Sequence, residues 1–231
     1  MFKNKYWAPI KQNLTYIESL IKPDAKVLEI GPGRFPFSKA THFCGWSTDE
    51  KNKFNNYKTV NIAEDVFPYE DKEFDFVYCR HVIEDLWNPI NALKEILRIT
   101  KEGYIETPSP LCETAKGVDA TNINYRGYAH HRYFVWNDSG VLNILPKFPI
   151  VETDFFQSKI FLDDEMEEIL QNPFYWNTFF YFRDDLKYKF YDMGKGKDFV
   201  FDDQSYFKII RNGIMAGITN VKNQMENIYD K

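Results

Sequence analysis

Residues Ala25-Lys26-Val27-Leu28-Glu29-Ile30 form a short apolar run that opens directly into Gly31-Pro32-Gly33. An apolar run of this length, closed by glycine, predicts a strand buried on both faces of a parallel sheet. Parallel neighbours need crossover connections, so this strand points to an α/β fold. The Gly-x-Gly end adds a second constraint. Glycine lets the backbone turn sharply and lets a ligand approach without meeting a Cβ. In open α/β sheets, ligands bind outside the carboxyl ends of the strands.

The pattern on either side agrees. Ile10, Leu14, Ile17, Leu20 and Ile21 recur at helical steps and predict a helix over 8–22, ended by Pro23 and Asp24. Strands are expected at 43–46, 57–62 and 74–79. A helix follows over 88–100, with Pro89 in its first turn, and then a strand over 103–107 stopped by Pro108. Strands alternating with helices predict a mainly parallel sheet. Residues 111–132 are polar and irregular and read as a long loop, which in a compact domain is usually functional. Further on, a short helix is expected around 163–171 and an antiparallel hairpin over 176–191. A closing helix over 205–229 is expected to be interrupted at Gly213 and Gly217. With no linker or repeat, residues 1–231 read as a single domain. Residues 25–110 form its core, and 111–231 supply a loop and an aromatic-rich C-terminal part.

Composition narrows the partners. The formal charge is −5. An acidic chain lacks the broad positive field that nucleic acids attract, so no nucleic-acid partner is expected. Cys44, Cys79 and Cys112 are odd in number and show no CxxC spacing, so neither a disulfide framework nor a zinc module is expected. No run of about 18 apolar residues would span a bilayer. The polar start of the chain is unlike a signal peptide, so no membrane partner and a cytoplasmic location are expected.

Two readings of the glycine turn compete on the residues alone. A dinucleotide fingerprint needs a third glycine where Pro36 stands, which disfavours a nicotinamide site. Val27-Leu28-Glu29-Ile30-Gly31-Pro32-Gly33, however, resembles motif I of the class I S-adenosylmethionine-dependent methyltransferases. Phe74-Asp75-Phe76-Val77-Tyr78-Cys79-Arg80-His81-Val82-Ile83-Glu84-Asp85-Leu86 resembles the strand-four motif of that superfamily. Leu93 through Ile105 is similar to its following helix and fifth strand. The three motifs fall in the right order across about residues 25–110, and the resemblance is to the methyltransferase type 11 group. It implies a Rossmann-like, mainly parallel seven-stranded sheet flanked by helices, with S-adenosyl-L-methionine as cofactor.

The resemblance places the cofactor on Glu29, Gly31, Pro32, Gly33, Asn61, Ile62, Cys79, Arg80 and His81. The family's acidic residue at the end of strand two is displaced here. Asp49 is the first choice for the ribose hydroxyls and Glu50 the second. The connection from Ile30 to Phe43 is short, with Pro32 and Pro36 limiting any helix. This is similar to a subgroup with a reduced first helix. Arg34 or Arg80 is then left to pair with the methionyl carboxylate, or each makes an ordinary salt bridge. Asn61 stands where the family usually has Asp. Its carbonyl oxygen can still meet the adenine amino group, while Ile62 packs on the ring.

Methyl transfer to a weakly acidic oxygen needs alignment, exclusion of water and a general base, most often histidine. Three of the four histidines, His81, His130 and His131, lie after strand four or in the long loop. One of these is expected to be the base, His131 ahead of His130, the alternative being structural histidines that fix the loop. In an extended segment His130 and His131 would point to opposite faces and would not share a metal. Glu106, Asp119 and Asp85 match no metal-ligand spacing, so no metal is expected. Some proteins with a similar loop sit among glycan-modifying enzymes, which makes a sugar hydroxyl, or another small molecule, the expected acceptor. A non-catalytic cofactor-binding module or partner subunit is the alternative. Phe, Tyr and Trp make up 18% of the chain, densest over 174–191. Most of these rings read as core, and a few are left for an acceptor wall or for the contact of a homodimer.

Overall fold

The computed structural model describes residues 8–49, 53–119, 124–153, 169, 171–191 and 203–229. They divide into two compact units. One comprises Trp7–Glu106 and Phe180–Leu186, the other chiefly Thr107–Phe179 and Lys187–Lys231.

The first unit is built on a sheet whose strands are β1 (Val27–Ile30), β2 (His42–Gly45), β3 (Tyr57–Thr59), β4 (Phe76–Arg80), β5 (Glu102–Pro108) and β8 (Asn177–Arg183). Their order is β3-β2-β1-β4-β5-β8. The first five pair parallel, with Leu28 opposite His42 on one side and Val77 on the other. β8 runs the other way, since Ser109 N–H donates to the Trp176 carbonyl and Asp184 N–H to that of Lys101. The order reverses at β1, which places the switch point where β1 and β4 end side by side. All four β1 residues are buried, as the unbroken apolar run requires of a central strand.

Among the described residues, two helices belong to this unit, α1 (Lys11–Leu20) and α2 (Pro89–Ile99). α2 starts where the sequence says it should. The Asn88 side chain accepts the Asn91 N–H, and Pro89 occupies the first turn. Ala92, Leu93, Ile96 and Ile99 are fully buried. Each of the larger three is worth about 1.5–3 kcal/mol of apolar burial. The β1–β2 connection holds no helix, in keeping with the prolines. Gly103 in β5 is packed to its limit. An added Cβ would lie 2.7 Å from both the Val77 carbonyl oxygen and the Phe182 ring. Gly103→Ala is therefore expected to lose about 1–3 kcal/mol in urea unfolding.

The second unit holds α3 (Pro110–Thr114), β6 (Tyr133–Asp138), β7 (Val141–Pro146), β9 (Tyr188–Phe190) and α4 (Asp203–Tyr229). β6 and β7 form an antiparallel hairpin, and β9 pairs parallel with β7. Ser139 and Gly140 join the hairpin with φ of 52° and 81°, the left-handed pair that a tight hairpin turn needs.

Several expectations need correction. The main sheet has six strands among the described residues rather than seven. The antiparallel C-terminal hairpin over 176–191 does not form, because β8 joins the six-stranded sheet while β9 joins the other. Asn177, Thr178, Phe179, Phe180 and Phe182 are all buried. A two-stranded ribbon would leave one face of such a strand in water, so the larger sheet wins. The closing helix is continuous rather than interrupted. Gly213 is tolerated in α4 because the Trp136 ring lies 3.0–3.2 Å from where its Cβ would stand. The loop over 111–132 begins as α3 and is clipped by a bridge between Lys116 and Arg126. The short helix expected at 163–171 falls almost entirely outside the described residues. No helix of the described residues is long and apolar enough to cross a membrane.

Candidate active site

In the first unit the predicted cofactor residues gather around the end of β1. Gly31 sits at φ 68° and Gly33 at 52°, a left-handed backbone that side chains rarely adopt. A Cβ on Gly31 would lie 2.6 Å from Val82 Cγ2. Glu29 is 2% exposed, and its Oε2 accepts the Phe37 N–H at 2.8 Å. That hydrogen bond ties the far end of the turn back to the strand from which it springs. Pro32 is buried between the two glycines. The Gly31 N–H bonds to the Cys44 carbonyl, so β1 and β2 stay paired up to the turn. The result is a tight turn at the carboxyl edge, with Val82 packed against the bare Cα of Gly31.

The other predicted contacts divide. Ile62 is buried. Asp49 is exposed just past β2, and Glu50 lies outside the described residues. Asn61 is already engaged, its amide donating to Glu64 at 2.7 Å and its carbonyl accepting from Ala63. Those bonds compete with the expected contact to adenine. Cys79 is fully buried, and desolvation pushes its thiol well up, so it stays protonated and packs as an apolar group. Arg34 is exposed, with its guanidinium 5.9 Å from the Phe35 ring centroid. Arg80 pairs instead with Glu106, Nε to Oε1 at 2.8 Å, with both side chains nearly buried. Glu106 also accepts from Tyr104 at 2.5 Å and from Asn13 at 3.3 Å. This carboxylate anchors a network and is not presented for a metal. Of the two arginines, Arg80 would have to leave that network to meet a methionyl carboxylate.

His81 follows β4 at φ 53°. Its N–H donates to the Glu106 carbonyl at 2.8 Å. Its Nδ1 lies 3.3 Å from Glu84 and its Nε2 3.8 Å from Glu106, both of them buried acids. Left-handed strain on a side-chain-bearing residue is found disproportionately at functional sites. Trp46, the residue after β2, leaves 81% of its surface exposed. A bare indole at the carboxyl edge offers a stacking face that composition alone did not single out.

In the second unit, His130 and His131 do not diverge as an extended segment would have them. The chain turns here, with the His131 N–H donating to the Tyr128 carbonyl, and the rings meet edge to face at 4.5 Å. His130 is exposed and His131 buried. The Tyr128 ring stacks on the His131 imidazole at 4.8 Å. His131 Nδ1 lies 2.6 Å from Glu113 Oε1, and Lys147 Nζ lies 2.7 Å from Glu113 Oε2. Glu113 is wholly buried. Burial alone would push its carboxyl up, but Lys147 and His131 outweigh it and hold the group at about 2. Asp119 is also buried.

Glu113 is missed by the sequence reading because 111–132 reads as a featureless loop, and Lys147, just past β7, carries no spacing signal. A signal was present. Ser109-Pro110 is a cap followed by a first-turn proline, and Ser109 Oγ does accept the Cys112 N–H. That start places Glu113 on a helical turn rather than on a free loop.

Residues 45–105 match the family described as a methyltransferase domain. The match overlaps the strand-four and strand-five motifs, so the resemblance to class I enzymes and to their cofactor rests on both. Similar solved structures include a methyltransferase from Thermotoga maritima, at 25% identity and TM-score 0.35, covering 42% of this chain and 49% of that one. Another is a methyltransferase from Mesorhizobium loti, at 10% identity and TM-score 0.37, covering 45% and 56%. This chain spans about half the length of each. No curated protein matches it.

Proposed function

We propose that this chain, with a methyltransferase domain over residues 45–105, is an S-adenosylmethionine-dependent methyltransferase that acts on a hydroxyl of a sugar or similar small molecule. The observation that carries the reading is the Gly31 cradle, held closed by the buried Glu29 carboxylate at the switch point of a mainly parallel sheet. Bound there, S-adenosylmethionine would supply a methyl group on a sulfonium and depart as the thioether, the electron pair of the broken C–S bond staying on sulfur. Gly31 and Gly33 admit the ligand to the backbone. Asp49 offers a carboxylate to the ribose hydroxyls, and Ile62 and Trp46 offer apolar surface to the adenine. His131 takes the acceptor's proton. Its support is a nitrogen already held by a buried carboxylate, the arrangement that orients a histidine base. A chain of net charge −5 suits a neutral acceptor better than a polyanion.

Calorimetry with S-adenosylhomocysteine, followed by tritium transfer from labelled S-adenosylmethionine to a panel of sugars and phenols, tests this. We expect micromolar binding and transfer to a hydroxyl. Absence of binding at millimolar ligand would overturn the reading. Binding without transfer to any acceptor would favour a non-catalytic cofactor-binding module.

A further inference from the structure

We propose that a polar pocket between the β6–β7 turn and α4 is a binding site for a neutral, polyhydroxylated small molecule the size of one sugar ring. It lies wholly within the second unit and shares no residue with the Gly31 turn or with the Glu113–His131 pair. The sequence builds it by spacing. Gly213 brings α4 up against β6, where an added Cβ would lie 3.0 Å from the Trp136 ring. Ala216, Asn220 and Asn223 follow at steps of three and four and continue that face of the helix. β6 meanwhile runs on from Trp136 to Asn137 and Asp138, and the chain turns at Ser139 and Gly140. Ala216 is too small to fill the space between, and a pocket of about 180 Å³ is left. At about 30 Å³ each, about six waters would occupy it. That is room for a monosaccharide and too little for a nucleotide.

The lining chemistry selects the ligand. The Phe179 backbone fixes two amides. Its N–H donates to Asn220 Oδ1 at 3.1 Å, and its carbonyl accepts from Asn137 Nδ2 at 3.0 Å. Asn137 Oδ1 in turn accepts the Gly140 N–H, which stiffens the turn. With its oxygen held on a backbone N–H, Asn220 has its amino group left to offer, two donors. Thr219 Oγ1 spends its hydrogen on the Met215 carbonyl and keeps its lone pairs. Among the described residues the Asn223 amide meets no hydrogen-bond partner, so it offers donors and an acceptor together. Asp138 adds a carboxylate, whose Oδ1 accepts from the Ser139 hydroxyl. A sugar hydroxyl both donates and accepts, and this wall supplies both kinds of partner. No Lys or Arg lines the pocket, and Asp138 repels anions, so a phosphate is disfavoured. An ammonium ion would leave the amide N–H groups unmatched. An apolar ligand would strip water from all these groups without replacing its hydrogen bonds.

The test is NMR of the full chain with glucose, galactose, mannose and myo-inositol as probes. Saturation transfer to the ligand measures affinity in the wild type, in Asn223→Leu, which removes the amide, and in Ala216→Leu, which fills the pocket. Labelling with 15N-asparagine locates the site, the Asn223 side-chain signal being assigned by its loss in Asn223→Leu. At least one probe is expected to bind in the millimolar range and to shift that signal, as suits so small a ligand. Each variant should weaken binding about tenfold or more. No binding of any of the four at tens of millimolar would overturn the proposal. So would binding that both variants leave unchanged, or that leaves the Asn223 signal in place. Tighter binding of inorganic phosphate or tetramethylammonium than of any of the four would overturn the ligand class. Asn223 is exposed, so Asn223→Leu still decides if Ala216→Leu does not fold. The measurement needs neither cofactor nor turnover, so its failure and that of the methyltransferase reading are separate results.

Discussion

Gly31→Val is expected to cut the affinity for S-adenosylhomocysteine by a hundredfold or more, about 2.7 kcal/mol. Two effects act together. The backbone at φ 68° is one that a β-branched residue resists, at a cost on the order of 1–3 kcal/mol. The new Cβ would also stand 2.6 Å from Val82 Cγ2, so either the turn or Val82 must shift. Both displace the cradle. Gly33→Ala is the control. It shares the left-handed backbone, at φ 52°, but its Cβ would meet nothing nearer than the Gly31 carbonyl at 3.8 Å. It should bind more weakly than wild type by far less. Calorimetry on both, with circular dichroism to verify folding, makes the comparison. Equal losses would mean that strain, not blockage, governs the turn. No loss in Gly31→Val would remove the cofactor from this position.

Glu113→Ala should be the most destabilising single change in the second unit, by about 3–5 kcal/mol at neutral pH. It leaves the Lys147 ammonium and the His131 ring, 7% and 5% exposed, facing a void where a carboxylate stood. The pH dependence identifies the cause. Glu113 is held at about 2 in the folded chain against 4.5 ordinarily. The folded chain thus holds the ionised form more firmly than the unfolded chain does. Its stabilisation is fully present above pH 4.5 and fades as pH falls towards 2. The difference between wild type and Glu113→Ala should therefore be largest near pH 7 and shrink by up to about 3 kcal/mol at the acid end. Urea unfolding at pH 7.5 and pH 3.5 reads it. A gap independent of pH would mean that the lost volume, not the charge, is what matters.

The parts of this fold legible in the sequence are those written locally. β1 and β5 are stopped by a glycine and a proline, β4 is a run of β-favouring residues, and α2 has both its apolar stripe and its cap. Their positions follow to within a few residues. β8 is different. Its aromatic alternation is compatible with a hairpin, and only the tertiary choice of β5 as neighbour decides against one. Gly213 is a helix breaker on paper, and only the Trp136 ring explains why it is not one here. The site divides in the same way. Gly31 and Gly33 announce themselves by type and spacing. His131 was visible as a histidine, but its partners are 18 residues before it and 16 after it. No spacing rule links Glu113, His131 and Lys147. They meet because α3 and the end of the β6–β7 hairpin pack in one unit. Arg80 is the reverse case: of the two roles its position leaves open, the salt bridge is the one made here, to Glu106 of the next strand.

The first unit borrows Phe180–Leu186 from far down the chain. During synthesis, the five parallel strands can emerge long before this segment does. Until it arrives, β5 is an open edge with unpaired N–H and C=O groups and a row of buried-type residues, Tyr104 to Pro108, exposed beside them. Such an edge is a template for pairing with another chain. A fragment that stops near residue 110 would carry every cofactor motif and yet keep that edge for good. Its solubility, rather than its motifs, would decide whether it could be studied. For the whole chain, the late closing strand makes the slowest contacts of folding also the ones that guard against aggregation.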